Sequence, residues 1–410
     1  MIKNIKWLWG DKCIFWGIYL IAIGLTFTSS IFKMELVADS LTEYEYYLSI
    51  IESGKWSYEV NNLITSCVIS TYIPAIVQRI THLEPQLVFR IFPCIFYSMM
   101  PAFSYLISRR YLNKRYSLLA VGFILSSFYF LYAPLICRIG IALGLWAGML
   151  WAMLGKRIIL ASVFAFMVVI AHYGTAYYAI LAIGGMFVYM LALHRKQELK
   201  TIGIVLAVLV VITAGWHFGI SWESGRYGRG FIKQAIEMTA PESYVIAQYP
   251  DATRSEVSEL KRAPEMKKSA LFSLGSRESV VQAAFGAYWP VMNIPQKIEW
   301  GLSWLLVALL SVGVFAVWRF RLLSDSHRGL VALAYIAILL AVIVPTISVY
   351  YGVVRLYFTG LPILVPCIVI GGKYLCSKVN IKAYYPLAAF ILMYVLCVSG
   401  TVHLMFGLVK

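Results

Sequence analysis

The chain passes directly from an apolar run, CIFWGIYLIAIGLTFTSSIF (residues 13–32), into an acidic segment, MELVADSLTEYE (residues 34–45). An apolar run of about 20 residues is long enough to cross a bilayer as a helix. Asp39 and Glu43 are four positions apart, so a helix would place both carboxylates on one face. Acids beside a membrane bundle are candidates for taking a proton from an acceptor hydroxyl. The alternative is the solvated face of a surface helix.

Apolar runs of similar length recur throughout the 410 residues, of which 61% are hydrophobic and 13% are charged. A soluble domain has about twice that charged fraction. We therefore predict an all-α, polytopic membrane protein that forms a single integral domain over residues 1–410. The first apolar run has no clear cleavage site, so we interpret it as a retained span. About eleven spans are predicted, at 13–32, 87–108, 117–137, 139–154, 158–172, 175–193, 201–219, 300–318, 329–349, 358–376 and 384–405.

The net charge of +16 would suit a nucleic-acid partner, but its distribution favours another explanation. With a cytoplasmic N-terminus, the inner segments hold about half of the 35 lysines and arginines. The same segments hold only Asp11, Glu198 and Asp325 of the 19 acids. This bias is typical of cytoplasmic loops, so the charge indicates orientation in a prokaryotic inner or plasma membrane and no nucleic-acid binding.

The seven cysteines show neither a CxxC pair nor zinc spacing, so we expect buried thiols.

Two predicted outer segments, residues 33–86 and 220–299, are too long to be simple connections. The first should contain an amphipathic helix over residues 39–53 that stops near Gly54, and a second helix over residues 63–80 that is interrupted by Pro74. We expect both helices to lie along the membrane surface, where aromatic side chains sit at headgroup depth. The second long segment is either a lid that binds the acceptor or a flexible surface loop.

Three arginines are predicted near the outer ends of spans: Arg90, Arg138 and Arg355. A guanidinium at that depth is costly unless it is paired, and a lipid phosphate is a suitable bidentate partner. The alternative is an arginine that reaches past the apolar region to the headgroups.

Further candidates for substrate binding come from three other stretches. His172 and Tyr173 lie in a tight turn between two spans, where His172 could bind a phosphate or a sugar hydroxyl, although a histidine at a helix end is often structural. Tyr357 follows Arg355 closely, and Arg277 opens a helix in the second long segment.

A divalent cation, Mg²⁺ or Mn²⁺, is a candidate cofactor, held by Asp39 with Glu43 or Glu45.

The layout resembles the GT-C superfamily of membrane glycosyltransferases, which use sugars linked to polyprenyl phosphate or diphosphate, and specifically an uncharacterised prokaryotic branch of it. The similar stretches are Asp39 to Tyr44, Ser53 to Trp56, Arg138, Ala171 to Gly174, Gly275 to Arg277 with Val280 to Ala284, and Arg355 to Tyr357. The resemblance implies a long first outer loop that begins with a catalytic acid, which matches Asp39. Many members have two adjacent acids, whereas here Ser40 follows Asp39 and the next acid is Glu43.

The function implied by this resemblance is inverting transfer of a sugar from a polyprenyl-phosphate donor to a glycan, lipid or protein acceptor on the outer face. Asp39 would deprotonate the acceptor, while Arg355, with Arg138 or His172, would neutralise the departing phosphate. A polysaccharide polymerase or ligase is the near alternative, in which arginines such as Arg226, Arg229 or Arg277 dominate. A transporter of lipid-linked substrates is more distant, because it would show acids buried within spans and broken helices in matched halves. Nucleotide-driven chemistry is unsupported, since the sequence contains no Walker A or GxGxxG motif.

Overall fold

A computed structural model of the chain describes residues 2–32, 38–56, 64–127, 130, 137–221, 294–343 and 353–398. These residues form helices joined by short turns, with no strand among them. The helices are α1 (Ile2–Phe32), α2 (Ala38–Ser53), α3 (Val68–Thr81), α4 (Pro85–Tyr97), α5 (Met99–Ser108), α6 (Lys114–Leu125), α7 (Cys137–Leu154), α8 (Ile158–Ala171), α9 (Tyr173–Ala192), α10 (Lys196–Thr213, continued by a π-helical segment, Ala214–Ile220), α11 (Ile294–Phe320), α12 (Asp325–Ile343), α13 (Val353–Lys378) and α14 (Tyr384–Val398).

The helices confirm an all-α integral membrane protein. Within the described residues, seven stretches are long and apolar enough to cross a bilayer, and they lie in α1, α4 with α5, α7, α9, α10 with its π-helical segment, α11 and α13. The other four predicted spans coincide with α6, α8, α12 and α14. The first two of these helices are shorter, and the last two end where the described residues end. The count of eleven spans therefore stays a prediction.

Helices α7 and α13 form the centre of the bundle and are buried over nearly their whole length. Helix α7 packs against α4, α5 and α8, and helix α13 packs against α11, α12, α5 and α6. The buried indole N–H of Trp146 in α7 donates to the carbonyl oxygen of Thr359 in α13 at 2.7 Å. Because a buried indole N–H needs such a partner, this bond fixes the two central helices against each other.

Glycines allow the central helices to approach their neighbours closely. A Cβ atom at Gly144 in α7 would overlap the carbonyl oxygen of Phe96 in α4, and one at Gly313 in α11 would overlap the carbonyl oxygen of Cys367 in α13. Small residues at such crossings let backbones pack directly, which is a main source of helix association in lipid.

All seven cysteines, Cys367 included, are free thiols.

Ion pairs connect the turns at the end of the bundle where α5 and α9 finish. Asp11 accepts from Arg109 at 3.0 Å and from the hydroxyl of Tyr105 at 2.6 Å, which joins α1 to α5. Arg195 pairs with Asp325 at 2.6 Å, which joins the turn after α9 to the start of α12. This end contains the basic turns that the sequence places on the inner side.

The first long segment forms two helices, as expected, with two corrections to the second helix. Helix α2 ends at Ser53, and Gly54 follows it with a φ of 76°, a left-handed conformation that glycine adopts easily. Helix α3 starts at Val68 and continues through Pro74, so the predicted start and the predicted interruption are wrong. A proline within a helix removes one backbone hydrogen bond, and packing of α3 against α2, α4 and α8 compensates for that loss.

The contact at Gly144 gives a first prediction. Gly144→Ala should lower the thermal unfolding midpoint of the detergent-purified protein by several degrees, because the new methyl group meets a rigid backbone carbonyl and must push α4 from α7. Gly184→Ala in α9 is the matched control, since its Cβ would only touch a Leu206 methyl group at 3.9 Å. Equal midpoints for the two variants would show that α4 and α7 do not pack this closely.

Candidate functional site

The acidic face of α2 starts the site. Asp39 lies in the first turn of α2 and Glu43 one turn later, so the two positions share a helix face as predicted. The side chain of Asp39 lies outside the described part of the structure. The side chain of Glu43 is fully buried, although α2 is not one of the spanning helices.

Glu43 forms an ion pair with Arg138 in the first turn of α7. One guanidinium nitrogen of Arg138 donates to Oε1 of Glu43 at 2.7 Å, and the backbone N–H of Arg138 donates to Oε2 at 3.2 Å. The carboxylate therefore binds both the side chain and the N-terminal end of α7, where free N–H groups favour a negative charge. Two predicted site residues, 95 positions apart, neutralise each other in this way.

Aromatic packing holds α2 in place around this ion pair. Tyr47 is fully buried, and its ring stacks on that of Tyr44 and packs at a tilt against that of Phe89. The Tyr47 hydroxyl donates to the carbonyl oxygen of Pro85 at 3.1 Å. Helix α2 is thus attached to the start of α4 as well as to α7. Glu45, on another face of α2, is exposed.

His172 lies in the turn between α8 and α9, where it caps the N-terminus of α9. Its Nδ1 accepts from the backbone N–H of Thr175 at 3.1 Å and is 2.9 Å from the hydroxyl of Thr175. The ring is buried, and burial, followed by the charges of Arg138 and Arg355, holds its pKa well below the ordinary value. His172 is therefore neutral at pH 7, and because Nδ1 accepts, the proton lies on Nε2.

Arg355 lies in the first turn of the central helix α13, at the same end of the bundle. The positive charge of Arg355 contributes to lowering the pKa of His172, and the Arg355 side chain is partly exposed. In the described part of the chain, no acidic side chain forms an ion pair with Arg355. The hydroxyl of Thr359, one turn later, donates to the carbonyl oxygen of Arg355 at 2.6 Å, and Thr359 is the residue held by Trp146.

The other predicted binding residues are placed less uniformly. Glu43, Arg138, His172 and Arg355 are called the charged cluster below. Tyr173 is partly exposed and its ring lies 5.0 Å from that of His172, so it lies beside this cluster. Tyr357 is buried in the apolar core, where substrate contact would require it to move. Arg90 donates to the carbonyl oxygen of Ser30 near the end of α1, at 3.5 Å. Arg277 lies outside the described residues, as do Arg226 and Arg229.

The structure adds Cys67, which precedes α3, to the surroundings of the ion pair. Its thiol is fully buried, and burial raises its pKa to about 11, while the charge of Arg138 lowers the pKa and that of Glu43 raises it. A lone cysteine in a loop gives no sequence signal for this placement. Its position nevertheless places the connection between α2 and α3 near the ion pair.

A pair of tryptophans joins the same connection to the end of α10. Trp56 and Trp216 stack with ring centroids 5.9 Å apart, and their indole N–H groups donate to the carbonyl oxygens of Thr65 and Ser66. Trp216 belongs to the π-helical segment Ala214–Ile220, a geometry that is frequent at functional sites. His217, in the same segment, is buried beside Tyr177. The sequence gives no signal for this placement, because only the fold brings His217 near the His172 turn.

The metal site stays a prediction from the sequence. Among the described residues, no three His, Cys, Asp or Glu side chains are grouped closely enough to hold an ion. Both oxygens of Glu43 bind Arg138, so Glu43 is a poor ligand in this arrangement. Asp39 and Glu45 keep their status as candidates from the sequence alone.

The double role of His172 can be tested by two substitutions. His172→Ala removes the cap of α9 and should lower the unfolding midpoint by several degrees, since a helix cap contributes about 1 kcal/mol. His172→Asn keeps an acceptor for the Thr175 N–H and should preserve most of the midpoint. Equal losses in both variants would show that the His172 ring does not act as a cap.

The low pKa of His172 also predicts a pH effect with a defined sign. The unfolded chain binds a proton at this residue below about pH 6.5 and the folded chain does not, so acidification should favour unfolding. Stability from this source is complete above about pH 6.5 and falls as the pH decreases, by at most about 1.4 kcal/mol per pH unit. Midpoints of the wild type and His172→Asn at pH 7.5 and 5.5 isolate the effect. The wild type should lose more than the variant, and a constant difference would contradict a neutral His172.

Comparisons with known proteins agree with this architecture at the level of the fold. Sequence comparison finds no matching protein family and no matching curated protein. The archaeal oligosaccharyltransferase AglB from Archaeoglobus fulgidus, in complex with an inhibitory peptide and a dolichol-phosphate, is structurally similar, with a TM-score of 0.54 and 11% sequence identity. The match covers 95% of this chain and 55% of AglB.

Two further structures are similar. The apo form of the Archaeoglobus fulgidus oligosaccharyltransferase has a TM-score of 0.50 at 12% identity, over 94% of this chain and 54% of that one. ArnT from Cupriavidus metallidurans, bound to undecaprenyl phosphate, has a TM-score of 0.38 at 14% identity, over 92% of this chain and 79% of ArnT. The chain spans about half the length of the oligosaccharyltransferases. The likeness to the oligosaccharyltransferases concerns the fold alone.

Proposed function

We propose that this chain transfers a sugar from a polyprenyl-phosphate donor to an acceptor hydroxyl on the outer face of the membrane. The fold supports lipid-linked sugar transfer in general terms. The observation that carries the specific proposal is the meeting of Glu43, Arg138, His172 and Arg355 at one end of the bundle, with Asp39 one turn before Glu43 in α2. In a GT-C fold, these are the groups that a phosphate and an acceptor hydroxyl require.

Arg355 is proposed to bind the donor phosphate. It lies at the end of a spanning helix, and its guanidinium has no acidic partner among the described residues. A lipid-linked phosphate that reaches this depth from the bilayer would replace that missing partner with charge-assisted hydrogen bonds. The same charge would stabilise the phosphate as it departs, which is the transition-state interaction that the reaction needs most.

His172 is proposed to add a neutral donor to this site. Since Nδ1 accepts from Thr175, its Nε2–H is available in the cluster beside Arg355. A neutral donor can bind a phosphate or sugar oxygen without adding a second positive charge. Tyr173, next to the ring, could contact the sugar through its aromatic face.

Asp39 is proposed as the general base. The acceptor oxygen forms a bond to the anomeric carbon, the bond from that carbon to the phosphate oxygen breaks, and the electron pair leaves with the polyprenyl phosphate. The acceptor proton passes to the Asp39 carboxylate, so direct attack inverts the anomeric centre. Glu43, one turn later and paired with Arg138, supports α2 and takes no proton in this scheme. The proposed steps use no metal.

The proposed outer location follows from the distribution of charge. The cluster lies at the end of the bundle opposite the turns with Arg109 and Arg195. Those turns belong to the basic segments that the sequence assigns to the cytoplasm. The chain would then be a multi-pass protein of a prokaryotic inner or plasma membrane with its site facing outward.

The base is tested by Asp39→Asn. The amide cannot accept the acceptor proton at neutral pH, so transfer of labelled sugar in proteoliposomes should fall by at least about a hundredfold while donor binding changes little. Glu52→Gln, which removes an exposed acid from the same helix, is the control and should transfer normally. An active Asp39→Asn variant would remove Asp39 from the mechanism, and it would favour the polymerase or ligase alternative if arginine variants were inactive.

The phosphate site is tested by Arg355→Gln. Loss of a charge-assisted contact should weaken donor binding by roughly tenfold to a hundredfold. Arg321→Gln removes an exposed cation from the opposite end of the bundle and should leave binding unchanged. Titration of a prenyl phosphosugar against both purified variants provides the measurement. Similar affinities for Arg355→Gln and the wild type would exclude Arg355 as the phosphate ligand.

A further inference from the structure

Three basic side chains define the positive charge available at the site, and two of them are neutralised. The Arg138 guanidinium is buried against the Glu43 carboxylate at 2.7 Å, so the pair has no net charge. His172 is neutral: its ring is buried, its Nδ1 accepts from the backbone N–H of Thr175, and burial, followed by the charges of Arg138 and Arg355, lowers its pKa. Of these three side chains, Arg355 is the one whose positive charge no ion pair among the described residues balances.

We propose that Glu43 determines donor specificity: by neutralising Arg138, it restricts the site to donors that carry a single phosphodiester charge and discriminates against diphosphate-linked sugars. This inference rests on the proposed function, whose donor it narrows. A sugar joined to a lipid through one phosphate carries one negative charge, which matches Arg355. A sugar joined through a diphosphate carries two, and the second would lie in a buried site without a counter-charge.

The geometry explains why Glu43 can act in this way. Its carboxylate is fully buried and accepts from the backbone N–H of Arg138 as well as from the guanidinium, so moving it would break two hydrogen bonds. The Arg138 charge lies close enough to affect both His172 and Cys67, so it would act on a phosphate bound beside His172. Removing the Glu43 charge would therefore restore a second positive charge at the site.

The experiment compares two probes, farnesyl phosphoglucose and farnesyl diphosphoglucose, by microscale thermophoresis with the full-length protein in detergent. The wild type should bind the monophosphate probe about tenfold more tightly than the diphosphate probe. Glu43→Gln keeps the size of the side chain and removes its charge. It should reduce this preference by roughly five- to tenfold, mainly through tighter binding of the diphosphate probe.

A double variant provides the matched control. Glu43→Gln combined with Arg138→Gln removes both charges of the pair, so the net charge equals that of the wild type and the preference for the monophosphate probe should return. A general loosening of the site would instead leave the preference of the double variant as low as that of Glu43→Gln. Size-exclusion profiles and unfolding midpoints establish that each variant is folded. If Glu43→Gln is unstable, folded Glu43→Asp decides instead: it keeps the charge and should keep the preference, and a lost preference would overturn the role of the Glu43 charge.

The outcomes separate this inference from the proposed function. If the wild type binds neither probe, the proposed donor class is wrong. If it binds both probes equally, or prefers the diphosphate probe, the specificity role of Glu43 is wrong while lipid-linked transfer stands. An unchanged ratio in folded Glu43→Gln would likewise overturn the role of Glu43.

Discussion

The buried ion pair between Glu43 and Arg138 is the constraint on which the site depends. A carboxylate and a guanidinium lose their hydration when they are buried, and neither would remain stable there without the other. Breaking such a pair by removing one partner commonly costs about 3–5 kcal/mol, which is comparable to much of the stability of a domain. Helix α2 therefore cannot leave the bundle cheaply, and the first turn of α2, with Asp39, is held near the start of α7.

Contacts between the spanning helices fix the relative positions of the helix ends that carry Arg138 and Arg355. Trp146 joins α7 to α13 through Thr359, and Thr359 in turn bonds to the carbonyl oxygen of Arg355. Gly144 allows α7 to contact the backbone of α4 directly. Catalytic groups need positions fixed to a fraction of an ångström, and rigid helices provide this better than loops do. The packing of the spans therefore also fixes the geometry of the charged cluster.

Much of the architecture could be predicted from local patterns in the sequence. Apolar length locates spans because the bilayer sets the length of a helix, and the end of α2 follows from Gly54. Arginines at span ends and a histidine in a tight turn are unusual enough to suggest a site, and Arg138, His172 and Arg355 do lie together. The continuity of α3 through Pro74 was not predictable, because tertiary packing overrides local preference there.

Pairing was the part that the sequence could not provide. Nothing local indicates that Glu43 meets Arg138, or that Trp56 meets Trp216, because these contacts depend on the packing of distant helices. The same limit applies to Tyr357, which precedes a buried phenylalanine and itself enters the core. Local patterns showed which side chains were chemically unusual, whereas the fold showed which charges remained after neutralisation.

The central claim is that one end of this bundle gathers the charged groups around a lipid-linked phosphate. A cryo-electron microscopy structure of the protein with a bound prenyl phosphosugar in nanodiscs tests it most directly. The account predicts phosphate oxygens roughly 2.8 Å from the guanidinium nitrogens of Arg355, with the sugar between His172 and the first turn of α2. A phosphate bound beside Arg109 and Arg195 at the other end, or one that separates Glu43 from Arg138, would contradict the account.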